Sequence, residues 1–434
     1  MDKMADVLGR AGAWCGQNKY LSAIKNAFQN FMPLTIAGAI GVLWCNVLVN
    51  DQTGLGLFFK PIMALDFLNP AFQAVNFCTI SCITVGITLG IAQEIGVWNM
   101  GAEKAGYIPG LVGLAAWLSV TNTSHMVEGA KEAFTGIAGN ELGATGLFTG
   151  MIIGVLSVEL FCFFEKQDAL KIKMPEQVPP GVARAFEVLV PATITLIITA
   201  CIGSACYNLT GLYLNDVIKN GIQGPLGAVG ATIPGVMIIY LVIMLFWLVG
   251  IHGNNMLSAV KEALFTPLAL ENVEKFNKGE KPTNIINMYA LQMWGKFGGS
   301  GVTIGLVIAI MIFGKREDNK AIASLSLVPG LFNINETVTF GIPMVLNPIL
   351  GIPFVFACLV TILVGYVLTV IGFCPVACLT VPWTTPPIVF GFLATGANVM
   401  GAVTQAILIV VSTVIYVPFL IAYEKYQNKQ AAEA

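Results

Sequence analysis

Apolar runs of membrane length alternate with short polar stretches along the whole chain. Runs at 28–49, 71–93, 107–120, 144–164, from 182 onward, at 233–251, 302–313, 353–373 and 399–422 predict transmembrane helices, because roughly 20 apolar residues match the hydrocarbon core. An amphipathic arm precedes the first run. The segment 165–180 is charged and ends in prolines, which marks a boundary between a first membrane half, 1–180, and a second, 181–434.

The pattern fails most clearly at 333–348, N-I-N-E-T-V-T-F-G-I-P-M-V-L-N-P. Apolar sequence flanks it on both sides, yet it holds the carboxylate of Glu336 together with Asn333, Asn335 and Asn347. Gly341, Pro343 and Pro348 interrupt any helix there, since proline removes a backbone donor and clashes with the preceding turn. Broken backbone among membrane helices is tolerated where it lines a polar cavity or is buried in protein, and an ionisable residue in such a place marks a functional site. The plainer alternative is a headgroup-level loop in which Glu336 meets water.

Composition agrees with the pattern. Apolar residues make up 56% and charged residues 11% of the chain, with a mean hydropathy of +0.79. Soluble domains carry about 25% charged residues, so the chain is expected to be an all-α integral membrane protein. The net charge of −2 says nothing about partners; the placement of the basic residues does. With the N-terminus in the cytoplasm, the basic loops from Lys3, Arg10, Lys19 and Lys25 through to Lys425 and Lys429 all fall inside. Of the 22 basic residues, four escape: Lys60, Lys131 and Lys219 fall outside and Lys296 lies within a segment. Lys261, Lys275, Lys278 and Lys281 then form one cytoplasmic loop and Lys315, Arg316 and Lys320 the next. The stretch between them must cross the membrane an even number of times, so 284–297 must cross or re-enter despite Asn284, Asn287, Gln292 and Lys296. Parity closes at about ten crossings.

No cleavable signal peptide is read at the start. The ten cysteines, Cys15 and the Cys78–Cys82 helix-face pair included, show no C-x-x-C and no metal set with histidine, and read as packing residues. No cofactor or metal is implied. No phosphate-cradling loop, H-E-x-x-H or nucleophile elbow is present, so the chain carries no visible means of using ATP.

Two further polar elements join the first. In L-V-G-I-H-G-N-N, 248–255, His252 stands between Gly250 and Gly253, with Asn254 beside it. A neutral imidazole both donates and accepts, which suits a polyhydroxylated ligand or a proton relay, while the bland reading is a helix-capping histidine at the interface. In V-P-W-T-T-P-P, 381–387, prolines hold Trp383 beside the hydroxyls of Thr384 and Thr385. That is either a sugar platform or an interfacial anchor. A carboxylate, an imidazole, amides and a caged tryptophan together point to a hydrogen-bonding ligand. Glu159 is expected to pair across helices and Arg184 with Glu187; Glu128, Lys131 and Glu132 read as a solvated face.

G-I-H-G at 250–253, N-I-N-E at 333–336, F-G-I-P-M-V-L-N-P at 340–348 and I-P-F at 352–354 resemble the IIC permease of the bacterial phosphotransferase system, within it the lactose/cellobiose/diacetylchitobiose family. F-M-P-L-T-I-A-G-A-I at 31–40 and L-G-I-A-Q-E-I-G at 89–96 extend the likeness across nearly the whole chain. The resemblance implies about ten spans plus two re-entrant hairpins and a homodimer joined by the first half. It also implies cytoplasmic termini in a bacterial inner membrane, with lipids around the helices. A second half that carries a β-linked disaccharide would work with a phosphorylated IIB protein and no nucleic acid. By the same likeness Glu336 and His252 hold the sugar's 6-hydroxyl, with Glu336 as base, and Asn335, Asn254 and Trp383 bind substrate; Thr384 joins them as the hydroxyl beside Trp383. Thr337 departs from the proline usual after that glutamate. Catalysis is expected only with IIB. Two other classes fit the same residues: a proton-coupled secondary sugar transporter, with Glu336 and His252 as relay, and a membrane enzyme acting on lipid-linked sugars.

Overall fold

Without water to satisfy them, backbone amides in apolar sequence bond within their own segment, and nearly every apolar run here becomes a helix. The computed structural model describes residues 10, 13–14, 17–51, 55–125, 134–175, 177–342, 344–345 and 347–433. The expectations for Lys3, Cys15, Glu128, Lys131, Glu132 and Pro343 lie outside the described residues. The helices used below are α1 Lys19–Leu43, α2 Ile83–Met100, α3 Ile108–Val120, α4 Ala144–Glu165, α5 Pro180–Thr210, α6 Ile233–Leu248, α7 Ser258–Asn277, α8 Met288–Gly295, α9 Ile304–Phe313, α10 Glu317–Leu331, α11 Glu336–Gly341, α12 Gly351–Val370 and α13 Val399–Glu433. A two-residue antiparallel pair, Ser124–His125 with Phe134–Thr135, is the only sheet among the described residues.

Among the described residues five helices are long and apolar enough to cross a membrane, and seven if two bent pairs each count as one span. The helices α3 and α6 are apolar but shorter. The fold is that of an all-α membrane protein.

The chain divides into two compact units, one of residues 17–38 and 75–227 and the other of 1–16, 39–74 and 228–434. Packing thus groups α5 with the earlier helices, whereas the 180/181 division drawn from the sequence concerns what each half does. In the first unit α2 buries Ile87, Ile91 and Ile95, spaced four apart on one face. Trp117 of α3 and Ile153 of α4 share a cluster with Ala116 and Val120. Glu159 pairs with Lys19 at 2.6 Å, and Arg184 pairs with both Glu187 at 2.8 Å and Glu165 at 2.9 Å. The expected pairings therefore hold, with Glu165 added.

One expectation is refined and one needs correction. The run 71–93 is not one continuous helix: the backbone leaves helical geometry at Cys82 (φ −105°, ψ 21°), just after the Thr79 hydroxyl donates to the Val75 carbonyl at 2.6 Å. Lys261 is not in a cytoplasmic loop. It lies in α7, buried, with Nζ donating to Asn254 Oδ1 at 2.7 Å.

In the second unit the polar segment 284–297 is a short helix packed inside protein. Asn287 caps α8 by accepting the amides of Tyr289 and Ala290 at 3.0 and 3.1 Å, and donates to the carbonyls of Asn284 and Ala377. Asn272 of α7 donates to the same two carbonyls and accepts from Thr283 and Asn284. The asparagines thus satisfy loop backbone that the fold removes from water. After Gly298–Gly299 the chain turns, and α8 with the turn at Ser300–Val302 meets α9 at 59°.

Candidate functional site

Two helix ends aim the principal side chains. α6 stops in a six-residue capping turn: Ile251 N–H donates to Phe246 O at 2.9 Å and Gly250 N–H to Trp247 O at 3.0 Å, with Gly250 at φ 82°. Two residues later His252 accepts the Asn255 amide on Nδ1 at 3.3 Å and caps the turn Gly253–Met256. With Nδ1 accepting, the neutral ring carries its proton on Nε2. α10 ends the same way: Ile334 N–H donates to Pro329 O and Asn333 N–H to Gly330 O, both at 3.0 Å, with Asn333 at φ 62°. Asparagine is the non-glycine residue that best tolerates this conformation. Three residues on, Glu336 opens α11.

These two turns bring His252 and Glu336 together. Nε2 and Oε1 are 3.9 Å apart, beyond direct hydrogen-bonding distance, and the two side chains keep 40% and 48% of their surface accessible. A hydroxyl oxygen between them can accept from Nε2–H and donate to the carboxylate. Trp247 walls the imidazole at 4.5 Å between ring centres, and Phe354 meets Trp247 at 6.5 Å.

The remaining residues divide by what they touch. Asn335 is buried and donates to the Ser300 carbonyl at 2.9 Å and to Thr339 Oγ1 at 3.2 Å. Asn254 is also buried: Nδ2 donates to Ser300 Oγ at 2.8 Å, and Oδ1 accepts from Lys261. Both amides brace the two turns against Ser300. Trp383 stands half-buried in its proline loop with Lys296 Nζ 4.5 Å from its ring centre, and Thr384 lies half-buried beside it.

Three residues to which the sequence reading gave no site role hold this arrangement. Asn333 donates to the carbonyls of Trp383 at 2.5 Å and Thr385 at 3.0 Å and accepts the Gly298 amide at 2.7 Å, so one side chain joins three loops. Gln405 of α13 accepts the amides of Ile388 and Gly391 at 2.8 and 2.7 Å and donates to Met293 O. It braces Ile388, a β-branched residue at φ 75°, where such side chains are strained. Ser300 is the third. Gly299 and Gly301 let this turn close: a Cβ on Gly299 would lie 2.6 Å from the Asn335 side chain, and one on Gly301 2.4 Å from the Phe354 ring.

Broken helices gathered around an accessible polar pair define a multi-pass membrane transporter. The phosphotransferase system EIIC family model matches residues 25–358. The chain is 33% identical over 429 residues to the oligo-beta-mannoside-specific EIIC component of Bacillus subtilis, covering 98% of this chain and 94% of that one. It is 29% identical over 486 residues to the cellobiose-specific EIIC component of Lactococcus lactis, covering 98% of each. Its fold superposes with a TM-score of 0.88 and 29% identity on the crystal structure of ChbC, the IIC component of the N,N'-diacetylchitobiose-specific phosphotransferase system, over 97% of both chains. The chain belongs to the phosphotransferase system EIIC family. It is a sugar permease component of a transferase system, a multi-pass protein of the bacterial inner membrane that works with a IIB component.

Proposed function

We propose that this permease binds a β-linked disaccharide of the cellobiose, diacetylchitobiose or lactose type and offers its 6-hydroxyl, held between His252 and Glu336, to a phosphocysteine on IIB. The observation that carries this reading is the 3.9 Å separation of His252 Nε2 and Glu336 Oε1, which lets one hydroxyl lying beside the pair hydrogen-bond to both. The names of the relatives supply the sugar class.

Phosphoryl transfer asks mainly for alignment and charge stabilisation, so a sugar held by its hydroxyl need only meet the donor in line. Glu336 takes the hydroxyl proton and His252 orients the oxygen. The new phosphate brings about two negative charges at neutral pH and sits beside the Glu336 carboxylate, which weakens its hold on the site and makes uptake one-way. We further assign the first half, 1–180, as a dimer scaffold and the second, 181–434, as the moving, sugar-carrying half, with both termini cytoplasmic.

Glu336→Gln keeps shape and hydrogen bonding but removes the base. Purified variant with phospho-IIB should lose transfer by about 10²–10⁴-fold while sugar affinity stays within about threefold. Unchanged transfer would remove Glu336 as the base. Uptake by wild-type proteoliposomes driven by a pH gradient without IIB would instead favour proton-coupled transport.

A further inference from the structure

The reaction just described leaves one charged group without a task. Lys296 follows α8 directly, and its ammonium packs on the Trp383 ring at 4.5 Å from the centre. Among the described residues no carboxylate lies within ion-pair distance of Nζ and no hydrogen bond uses its three donors. One carboxylate, Glu262, attracts it from beyond ion-pair distance, and Lys261 is of the same sign. Lys261, near enough for the two ammonium groups to repel, is held by Asn254, and the Glu262 carboxylate accepts from the Thr266 hydroxyl at 2.5 Å. The ring face replaces only part of the hydration an ammonium gives up. A half-buried cation in that condition is matched to an anion from elsewhere.

Its placement is fixed from two sides. Asn333 bonds the amide of Gly298, two residues past Lys296, and the carbonyl of Trp383, so lysine and tryptophan share one clamp with the turn that carries Glu336. The Lys296 charge also reaches His252.

We propose that Lys296 is the phosphoryl-binding cation of this site, taking the phosphate oxygens during transfer and in the sugar 6-phosphate product. The inference rests on the phosphoryl-transfer reading above. In that step the P–S bond of the IIB phosphocysteine breaks as the O–P bond to the sugar forms. The electron pair leaves on the cysteine thiolate and the hydroxyl proton passes to Glu336. Once Glu336 has released that proton, the phosphate stands next to a carboxylate, and an unengaged ammonium offsets the repulsion. Lysine serves as a point charge for phosphate.

The test uses purified full-length protein, phospho-IIB, and cellobiose, N,N'-diacetylchitobiose and lactose as acceptors, then the 6-phosphate of whichever sugar reacts fastest. Lys296→Gln should lower kcat for transfer by about 10²-fold or more. Affinity for the unphosphorylated sugar should stay within about threefold, and affinity for the 6-phosphate should fall by about tenfold. Lys296→Arg should recover at least about a tenth of the rate, since the charge returns in altered geometry. Wild-type transfer in Lys296→Gln overturns the proposal. So does a loss of plain sugar affinity that matches the loss of transfer, because Lys296 would then only prop Trp383. If wild-type protein phosphorylates none of the three sugars, the functional reading fails and this inference falls with it.

Discussion

His252 uses its two nitrogens for two different purposes. Nδ1 closes a helix turn and Nε2 faces Glu336, so the capping reading holds at one nitrogen and leaves the other free for the ligand role we propose. Glu336 and His252 were legible because a charge or an imidazole in apolar sequence is costly without a purpose. Asn333 was not, because its value lies in partners 35 to 52 residues away. Asn333→Gly separates its two contributions: glycine keeps the φ of 62° and removes three hydrogen bonds. Leaving three backbone groups without partners should cost about 2–4 kcal/mol. Thermal unfolding in detergent should fall accordingly, and sugar affinity with it as the Trp383 loop loosens. Wild-type values for both would show that the clamp is not needed.

At the scale of elements, the breaks position the chemistry. Parity of the basic loops asked 284–297 to cross or re-enter; the structure shows α8 there, in a pair with α9 bent by 59°. How a stretch with three polar amides and a lysine could sit there was not visible, because Asn287 and Asn272 share carbonyls that come from different loops. Counting charges misplaced Lys261 for a related reason: hydropathy does not distinguish a solvated lysine from one buried against an asparagine. The span read at 71–93 is a pair of helical segments bent by 42° at Cys82. Gly301 offers a test of the turn. Its φ of 74° and the Phe354 ring 2.4 Å from an added Cβ leave no room for a side chain. Gly301→Ala should destabilise the protein by about 1–3 kcal/mol, read as a lower unfolding temperature, by overpacking and backbone strain together. An unfolding temperature equal to wild type would mean that the turn relaxes freely.

For the whole molecule, hydropathy alone gave the membrane class, and the strings around Glu336 and His252 gave the family. What packing adds is the partition of contacts: residues 228–434 form one unit that contains every proposed site residue, with 39–74 joined to it. No periodicity in the sequence announces that 39–74 belongs there. The central claim is that one sugar hydroxyl bridges His252 and Glu336 within that unit. It is tested most directly by calorimetric binding of cellobiose, or of whichever disaccharide the protein takes, against its 6,6′-dideoxy analogue. Wild type should bind the analogue about tenfold or more weakly, as loss of a hydrogen bond to a charged group requires, and Glu336→Ala should bind the two nearly alike. Equal affinity of wild type for both sugars would contradict the account.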